Sequence, residues 1–404
     1  MGSDLLGTIN TGMSGLMAYS QGLQDIGNNL TNVNTPGYKG TETQFSDLFE
    51  QESEGSGGSA QQTGAGLTTM GSNINFTAGT LNPTGNPLDV AITGNGFFVT
   101  TSGGQQNYTR AGQFQFNSSG TLINSADGQN VAGFGSNGQL ENISLTSLQS
   151  NPAKVTSEVT FNGALNDTES TNPTLGGITI TDPAGGQHTL SLSFSLNAAA
   201  TPPTGDSWTV TATDSTGATV GTGTIQYDLS TGAPVATADT INLSYSPGGM
   251  TAFPIQLNFS GTTSSDLGTT TTPSSIAVNN VNGYAAGTLV SETFNSSGTL
   301  VATYSNGQTS NGPTLALAYF DSEQDLTETS GNNFVAGNPS EAKFGIAGTG
   351  TLGTITAGSI EGSNVNLSQE FSNLIVMQRG YQAASQVLST ANDMIQTLFD
   401  MKKE

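Results

Sequence analysis

Few residues of this 404-residue chain are equipped for chemistry. The one histidine, His188, heads an alternating segment directly after the turn-like run Pro183-Ala184-Gly185-Gly186-Gln187. A single imidazole supplies at most one general base and rules out a multi-histidine metal site. The chain has no cysteine, so thiolate nucleophiles, disulfides and cysteine-ligated zinc are excluded. The carboxylates Asp182, Asp206, Asp214 and Asp228 stand in turn-like contexts without EF-hand spacing. Residues Gly348-Thr349-Gly350-Thr351-Leu352-Gly353 fit G-x-G-x-x-G, but a dinucleotide loop must open a helix, and the β-branched, glycine-rich Thr354–Gly362 follows instead. The residues therefore read as a protein that is not an enzyme, with no catalytic, cofactor or metal site.

The charge balance narrows the partners. Seven Lys and Arg against 30 Asp and Glu give a net charge of −23. That is unsuited to phosphate backbones or anionic membrane surfaces. Only 9% of residues are charged, against roughly 25% in an ordinary domain. Glycine, at 54 residues, is near twice its usual share of about 7%. No apolar run approaches the length of a membrane span. The first 30 residues lack both a basic and a continuous apolar segment, so no cleavable signal peptide is expected.

What positions such a polar chain is helical periodicity at its two ends. Ile9, Leu16, Leu23 and Leu30 recur every seven residues, with Tyr19, Ile26 and Val33 three further on. At the C-terminus Leu374, Tyr381, Leu388 and Ile395 form one row, and Met377, Ala384, Ala391 and Leu398 the other. Both are coiled-coil seams. Ser368 is the expected cap of the second helix. Gly7, Gly12, Gly15, Gly22 and Gly27 weaken the first helix by roughly 0.8–1 kcal/mol each, so it needs a partner that buries its seam. The glycines would allow close packing against the C-terminal helix or against other copies of the chain. Between the ends, residues 188–196 and 208–212 alternate apolar and polar as half-buried strands. The heptapeptide FNSSGTL occurs at Phe116–Leu122 and again at Phe294–Leu300, and reads as a hairpin turn with glycine at positive φ. Residues 51–66 are a Gly/Ser/Gln-rich linker. The expected fold class is multidomain α+β: a terminal α-helical coiled coil formed by the N- and C-terminal segments, plus two nested antiparallel β-rich domains.

Gly27–Gly40, GNNLTNVNTPGYKG, and Glu361–Ser385, EGSNVNLSQEFSNLIVMQRGYQAAS, strongly resemble the two terminal signatures of the flagellar rod and hook axial protein family. Asn86–Phe98, Tyr108–Leu122 and Phe344–Gly353 resemble its β domain. The extra stretch 151–280 favours the hook members over the shorter distal rod members. The resemblance implies a helical inner-tube domain from 1–34 with 364–404, a connecting segment 35–76, an inner β domain from 77–150 with 281–363, and an outer β domain 151–280. It implies a homopolymer, a curved hollow tube acting as a universal joint that carries torque from rod to filament. Its partners would be the distal rod protein, the hook cap protein, the hook-filament junction protein and the type III export apparatus, with no nucleic acid and no membrane embedding. It would lie outside the cell, in the flagellum. Asn28, Asn29, Asn32, Thr35, Pro36, Gly37 and Tyr38 are the signature turn, which ends the first helix and redirects the chain. Phe45 and Phe49 match the family's Phe-x-x-x-apolar export-gate motif. A distal rod protein with an inserted domain, or a secreted β-rich adhesin or surface-layer protein on a helical stalk, is the alternative.

Overall fold

The computed structural model describes residues 2–47, 51–54, 60–63, 66–169, 171–197, 205–228, 230–264 and 273–403. The chain divides into two compact units. One comprises Met1–Ser147, Glu292–Ala302 and Asn311–Glu404, the other Leu148–Ser291 with Thr303–Ser310.

The first unit holds both helices, α1 (Gly2–Thr31) and α2 (Leu367–Lys403), packed against each other. Asn366, not Ser368, caps α2: its Oδ1 accepts from the N–H groups of Ser368 at 3.0 Å and Gln369 at 3.4 Å. The helix begins one residue before Ser368, so Ser368 is already inside its first turn. After α1, strand β1 (Thr41–Asp47) pairs antiparallel with β2 (Leu67–Ile74). Part of the linker predicted at 51–66 is also paired, Gln51–Glu54 against Ala60–Thr63. Strands β3 (Phe97–Ser102), β4 (Gln105–Thr109), β5 (Asn130–Phe134), β14 (Leu326–Thr329) and β15 (Asn333–Ala336) form the heart of a sheet in the order β5-β3-β4-β15-β14. Phe97 centres its core, with the rings of Phe76, Phe334 and Phe320 meeting it edge-on at 5.7, 5.8 and 6.1 Å. Segments from the two chain halves interleave in this unit. Val90–Thr93 pairs with Thr354–Ala357, and Leu81–Pro83 with Ser359–Glu361.

The two FNSSGTL copies fold alike. Asn117 Oδ1 accepts from Ser119 and Thr121 N–H at 2.9 and 3.0 Å, and Asn295 Oδ1 from Ser297 and Thr299 N–H at 3.0 and 2.9 Å. Gly120 (φ 75°) and Gly298 (φ 77°) take the left-handed position that closes each turn.

The second unit is a sandwich of two four-stranded sheets. One runs β11 (Thr240–Tyr245), β12 (Phe253–Ser264), β6 (Glu158–Leu165), β13 (Ala277–Val281). The other runs β7 (Thr174–Thr181), β8 (Gln187–Leu196), β9 (Ser207–Asp214), β10 (Thr219–Gln226). Strict alternation sends Leu190, Leu192, Phe194, Trp208, Val210 and Ala212 inward. They meet Phe259, which stacks on Phe161 at 4.5 Å and receives Phe194 edge-on at 6.1 Å. One pair departs from the antiparallel expectation: β6 lies parallel to β12. Parallel neighbours need a long crossover, and here the whole second sheet supplies it.

Both Gly298 and Gly307 have positive φ, but only at Gly298 would a Cβ meet neighbours, Ile355 Cδ1 at 2.6 Å and Leu315 Cβ at 3.3 Å. Gly307→Ala should therefore cost about 1–2 kcal/mol of backbone strain, and Gly298→Ala about 1–3 kcal/mol more through overpacking. Urea unfolding of the two variants checks the difference.

Candidate functional site

Of the residues weighed for catalysis, Asp182 with His188, Asp214 and Asp228 are engaged in their own turns, whereas Asp206, expected in a turn, has its Oδ2 accepting from Ser264 Oγ at 2.6 Å, 58 residues away. Asp182 Oδ1 accepts from Ala184 and Gly186 N–H at 2.8 and 2.9 Å, while Oδ2 lies 2.8 Å from His188 Nε2. The hydrogen bond from His188, then those turn amides, hold the Asp182 carboxyl below its ordinary pKa. Asp214 and Asp228 close turns of the same type and are likewise lowered, chiefly by the hydroxyls of Thr216 and Ser230. Gly348–Gly353 is a tight turn closed by Gly348 N–H on Gly353 O at 2.8 Å. No cluster of three metal-ligating side chains occurs among the described residues.

The helix pair is where the chain concentrates its packing surface. The helices run antiparallel, and glycines form the centre of the seam. A Cβ on Gly12 would lie 3.4 Å from Ala384 O, one on Gly15 3.3 Å from Ala384 Cβ, and one on Gly22 3.2 Å from Met377 Sδ. In return the Tyr19 ring lies across Gly380, where a Cβ would sit 2.5 Å away. Of the predicted assembly residues, Ile26 is buried. Ile9, Leu16, Tyr19, Leu23, Leu30, Leu374, Met377, Leu388 and Ile395 are half-buried. Tyr381 and Leu398 are exposed, at 42% and 48%. They join an outward apolar surface: of 21 exposed large apolar side chains among the described residues, 13 lie on α1 and α2, including Met17, Phe371, Ile375 and Phe399. Such a concentration marks an interaction surface, because a protein's scattered apolar residues do not cluster this way. Met13, Leu16, Met17 and Tyr381 line a shallow depression of ≈ 400 Å³ on this surface.

The signature turn holds α1 to the β structure. Asn32 N–H reaches back to Asn28 O and Asn29 O at 3.2 Å, and Thr35 Oγ1 donates to Asn32 Oδ1 at 3.0 Å. Asn29 is the hub. Its Oδ1 accepts from Tyr38 Oη at 3.2 Å and Thr41 N–H at 2.9 Å, and its Nδ2 donates to Thr41 O at 2.8 Å and to Glu370 Oε1 at 3.4 Å. Pro36 O accepts from Asn332 Nδ2 at 3.2 Å. Gly37 (φ 71°) passes so close to Ala111 that a Cβ would lie 2.5 Å from its nitrogen. Asn28 is exposed. Phe45 on β1 packs at 6.0 Å from the Tyr19 ring, while Phe49 lies outside the described residues. Asp25, buried in α1, pins the β1–β2 hairpin by accepting from Thr43 Oγ1 and Ser72 Oγ at 2.5 Å each.

Directly after the turn lies a cluster that the sequence reading missed. Lys39, Arg110 and Glu361 are 2%, 3% and 1% exposed. Glu361 Oε1 accepts from Lys39 Nζ at 2.7 Å and Gly79 N–H at 2.9 Å, and Oε2 from Arg110 Nη1 at 3.2 Å. Lys39 Nζ also donates to Thr77 O at 2.8 Å, Arg110 Nη2 to Gly94 O at 2.9 Å, and Gly37 N–H to Glu361 O at 2.8 Å. Burial pulls the Lys39 pKa below its ordinary value, against the opposing pull of Glu361. A signal was available: before residue 150 the chain has only two cations, Lys39 and Arg110, and both serve this one carboxylate.

Three family models match. "Flagella basal body rod protein" covers residues 9–39, "Flagellar hook protein FlgE/F/G D1 domain" 91–185, and "Flagellar basal body rod FlgEFG protein C-terminal" 356–401. With the paired terminal helices, these define the class as a flagellar axial protein of the rod and hook type. Full-length similarity is more specific. The flagellar hook protein FlgE of Salmonella typhimurium is 31% identical over 426 residues, covering 96% of this chain and 98% of that one. The FlgE of Treponema pallidum is 28% identical, covering 99% and 100%. A solved structure, the Helicobacter pylori flagellar hook protein FlgE2, matches with a TM-score of 0.49 and 12% identity over 68% of this chain and 98% of that one. The chain belongs to the flagellar hook protein FlgE family.

Glu361→Gln leaves two buried cations without their carboxylate and should cost about 3–5 kcal/mol. A loss under about 1 kcal/mol in urea unfolding would show that the cluster does not hold the turn. Burial raises the pKa of Glu370 on α2, with Glu42 adding to the rise and Asn29 opposing it. Its contribution is then fully present below the ordinary carboxylate pKa and is lost as pH rises through the elevated one. Glu370→Gln should flatten the stability-pH curve across that window, as read from melting temperatures.

Proposed function

We propose that this chain is the structural, non-enzymatic subunit of a flagellar hook. It polymerises into a curved hollow tube that serves as a universal joint and carries torque from rod to filament. The observation that carries this reading is the outward apolar surface of α1 and α2, far more than a helix pair leaves uncovered when it works alone. Residues 1–34 with 364–404 form the inner tube, 35–76 the connection, 77–150 with 281–363 the inner β domain, and 151–280 the outer one. The assembly helices meet neighbouring copies through Phe371, Ile375, Tyr381 and Leu398, while the signature turn and the Lys39–Glu361–Arg110 cluster hold each helix pair in fixed relation to its β unit. Phe45 belongs to the segment read by the type III export apparatus. The distal rod protein, hook cap protein and hook-filament junction protein cap the ends of the tube. The assembled protein sits outside the cell.

Phe371→Ser with Ile375→Ser removes two exposed apolar side chains, each worth about 1.5–3 kcal/mol when fully buried. The variant should raise the concentration needed for polymer at least tenfold and leave the melting temperature of the monomer unchanged. Sedimentation and electron microscopy of the polymer check this. A straight rigid polymer would move the chain to the rod class, and discrete trimers would move it to stalked adhesins.

A further inference from the structure

The chain has eight methionines and no other sulfur. Methionine usually ranks among the most buried residues of a folded protein. Here none of the seven among the described residues lies in a β core. Six are exposed: Met13, Met17, Met70, Met250, Met394 and Met401. The seventh, Met377, is half-buried, with its Sδ over Gly22, 3.2 Å from where a Cβ would lie. Four of the six exposed thioethers thus belong to the outward apolar surface of α1 and α2. Met13 and Met17 are the pair with a shaped setting. They stand four residues apart on α1, and so on one face of it. Both line the ≈ 400 Å³ depression that Leu16 and Tyr381 help to form, and no charged side chain lines it. Met17 is 68% and Met13 45% exposed.

We propose that Met13 and Met17 are oxidation sites that control entry of a copy into the polymer. The proposal rests on the polymer reading above. The oxidant is a peroxide. The sulfur lone pair attacks one oxygen of hydrogen peroxide, the O–O bond breaks, an S–O bond forms and water leaves. Sulfur is oxidised by two electrons and the peroxide reduced by two. The chain has no thiol to take the oxidant first. The product sulfoxide is polar where the thioether was apolar. On a free copy the new oxygen faces water and the fold is untouched. Inside an apolar contact between copies the same oxygen must give up its water, which is costly for an unpaired polar group. Met377 marks the contrast. Its sulfur belongs to the α1–α2 seam, so its oxidation would loosen the monomer itself. Assembly in turn covers both α1 sulfurs, so a copy is vulnerable only before it joins.

The test lets one polymerisation sort the oxidised copies. The full-length monomer is partially oxidised with hydrogen peroxide, the peroxide is removed, and polymer is separated from residual monomer by sedimentation. Peptide mass spectrometry then reads the sulfoxide at each position. Sulfoxide at Met13 and Met17 should be depleted from the polymer by about tenfold relative to the residual monomer. Sulfoxide at Met70 and Met250, which lie outside the helices, should divide evenly. Treating the residual monomer with the two methionine sulfoxide reductases should return it to polymer. Even division of Met13 and Met17 sulfoxide would overturn the proposal. Equal depletion at Met70 and Met250 would overturn it too, because oxidation would then act on the whole chain, and so would residual monomer that stays inert after reduction. Failure of the untreated protein to polymerise would instead overturn the polymer reading, and this proposal with it.

Discussion

A buried carboxylate between two cations fixes everything around it. Glu361 reaches Lys39 just after the first helix turns, Arg110 at the end of β4, and the amide of Gly79 in the strand-rich segment between them. Taking three charges out of water is tolerable because the charges pair with one another and each also bonds a backbone group, although Arg110 Nε stays buried without a partner. That requirement makes the arrangement unforgiving: the redirecting turn, the sheet that carries β4 and the approach to the second helix must all be in register before the charges are satisfied. Asn29 extends the same logic toward α2 through Glu370, and Asp25 extends it toward the β1–β2 hairpin. Polar groups thus set the geometry, and apolar groups on the helices are left free for neighbours.

Charge economy is the counterpart of this precision. Two of only seven cations are committed to the cluster, against 30 acids in the whole chain. At physiological salt the screening length is about 8 Å, so sparsely spread acids repel weakly between copies.

Local patterns were legible where their cause was local. The heptads gave both helices, alternation in 188–196 and 208–212 gave β8 and β9, and FNSSGTL gave two turns closed by the same asparagine and glycine. What escaped depended on partners far away in the chain. Lys39 and Glu361 are separated by 322 residues, and nothing near either one announces the other. The parallel placement of β6 beside β12 is likewise a property of the whole excursion between them. The seam itself was largely legible: the apolar rows and the close packing at Gly12, Gly15 and Gly22 were expected, whereas Gly7 and Gly27 meet nothing and Gly380, under the Tyr19 ring, was not foreseen.

Those glycines also set the order in which the molecule can fold. Pairing α1 with α2 directly from an unfolded chain would close a loop of roughly 360 residues, at about 5 kcal/mol of chain entropy. A helix weakened by glycine cannot offset that alone. Once the β strands have brought residues 37 and 361 together, however, each helix hangs from a short tether beside its partner, and most of the penalty has vanished. The sticky apolar seam therefore comes into existence last, on a molecule whose β units are already closed. A chain built this way has little opportunity to associate through its helices before it has a finished body to place.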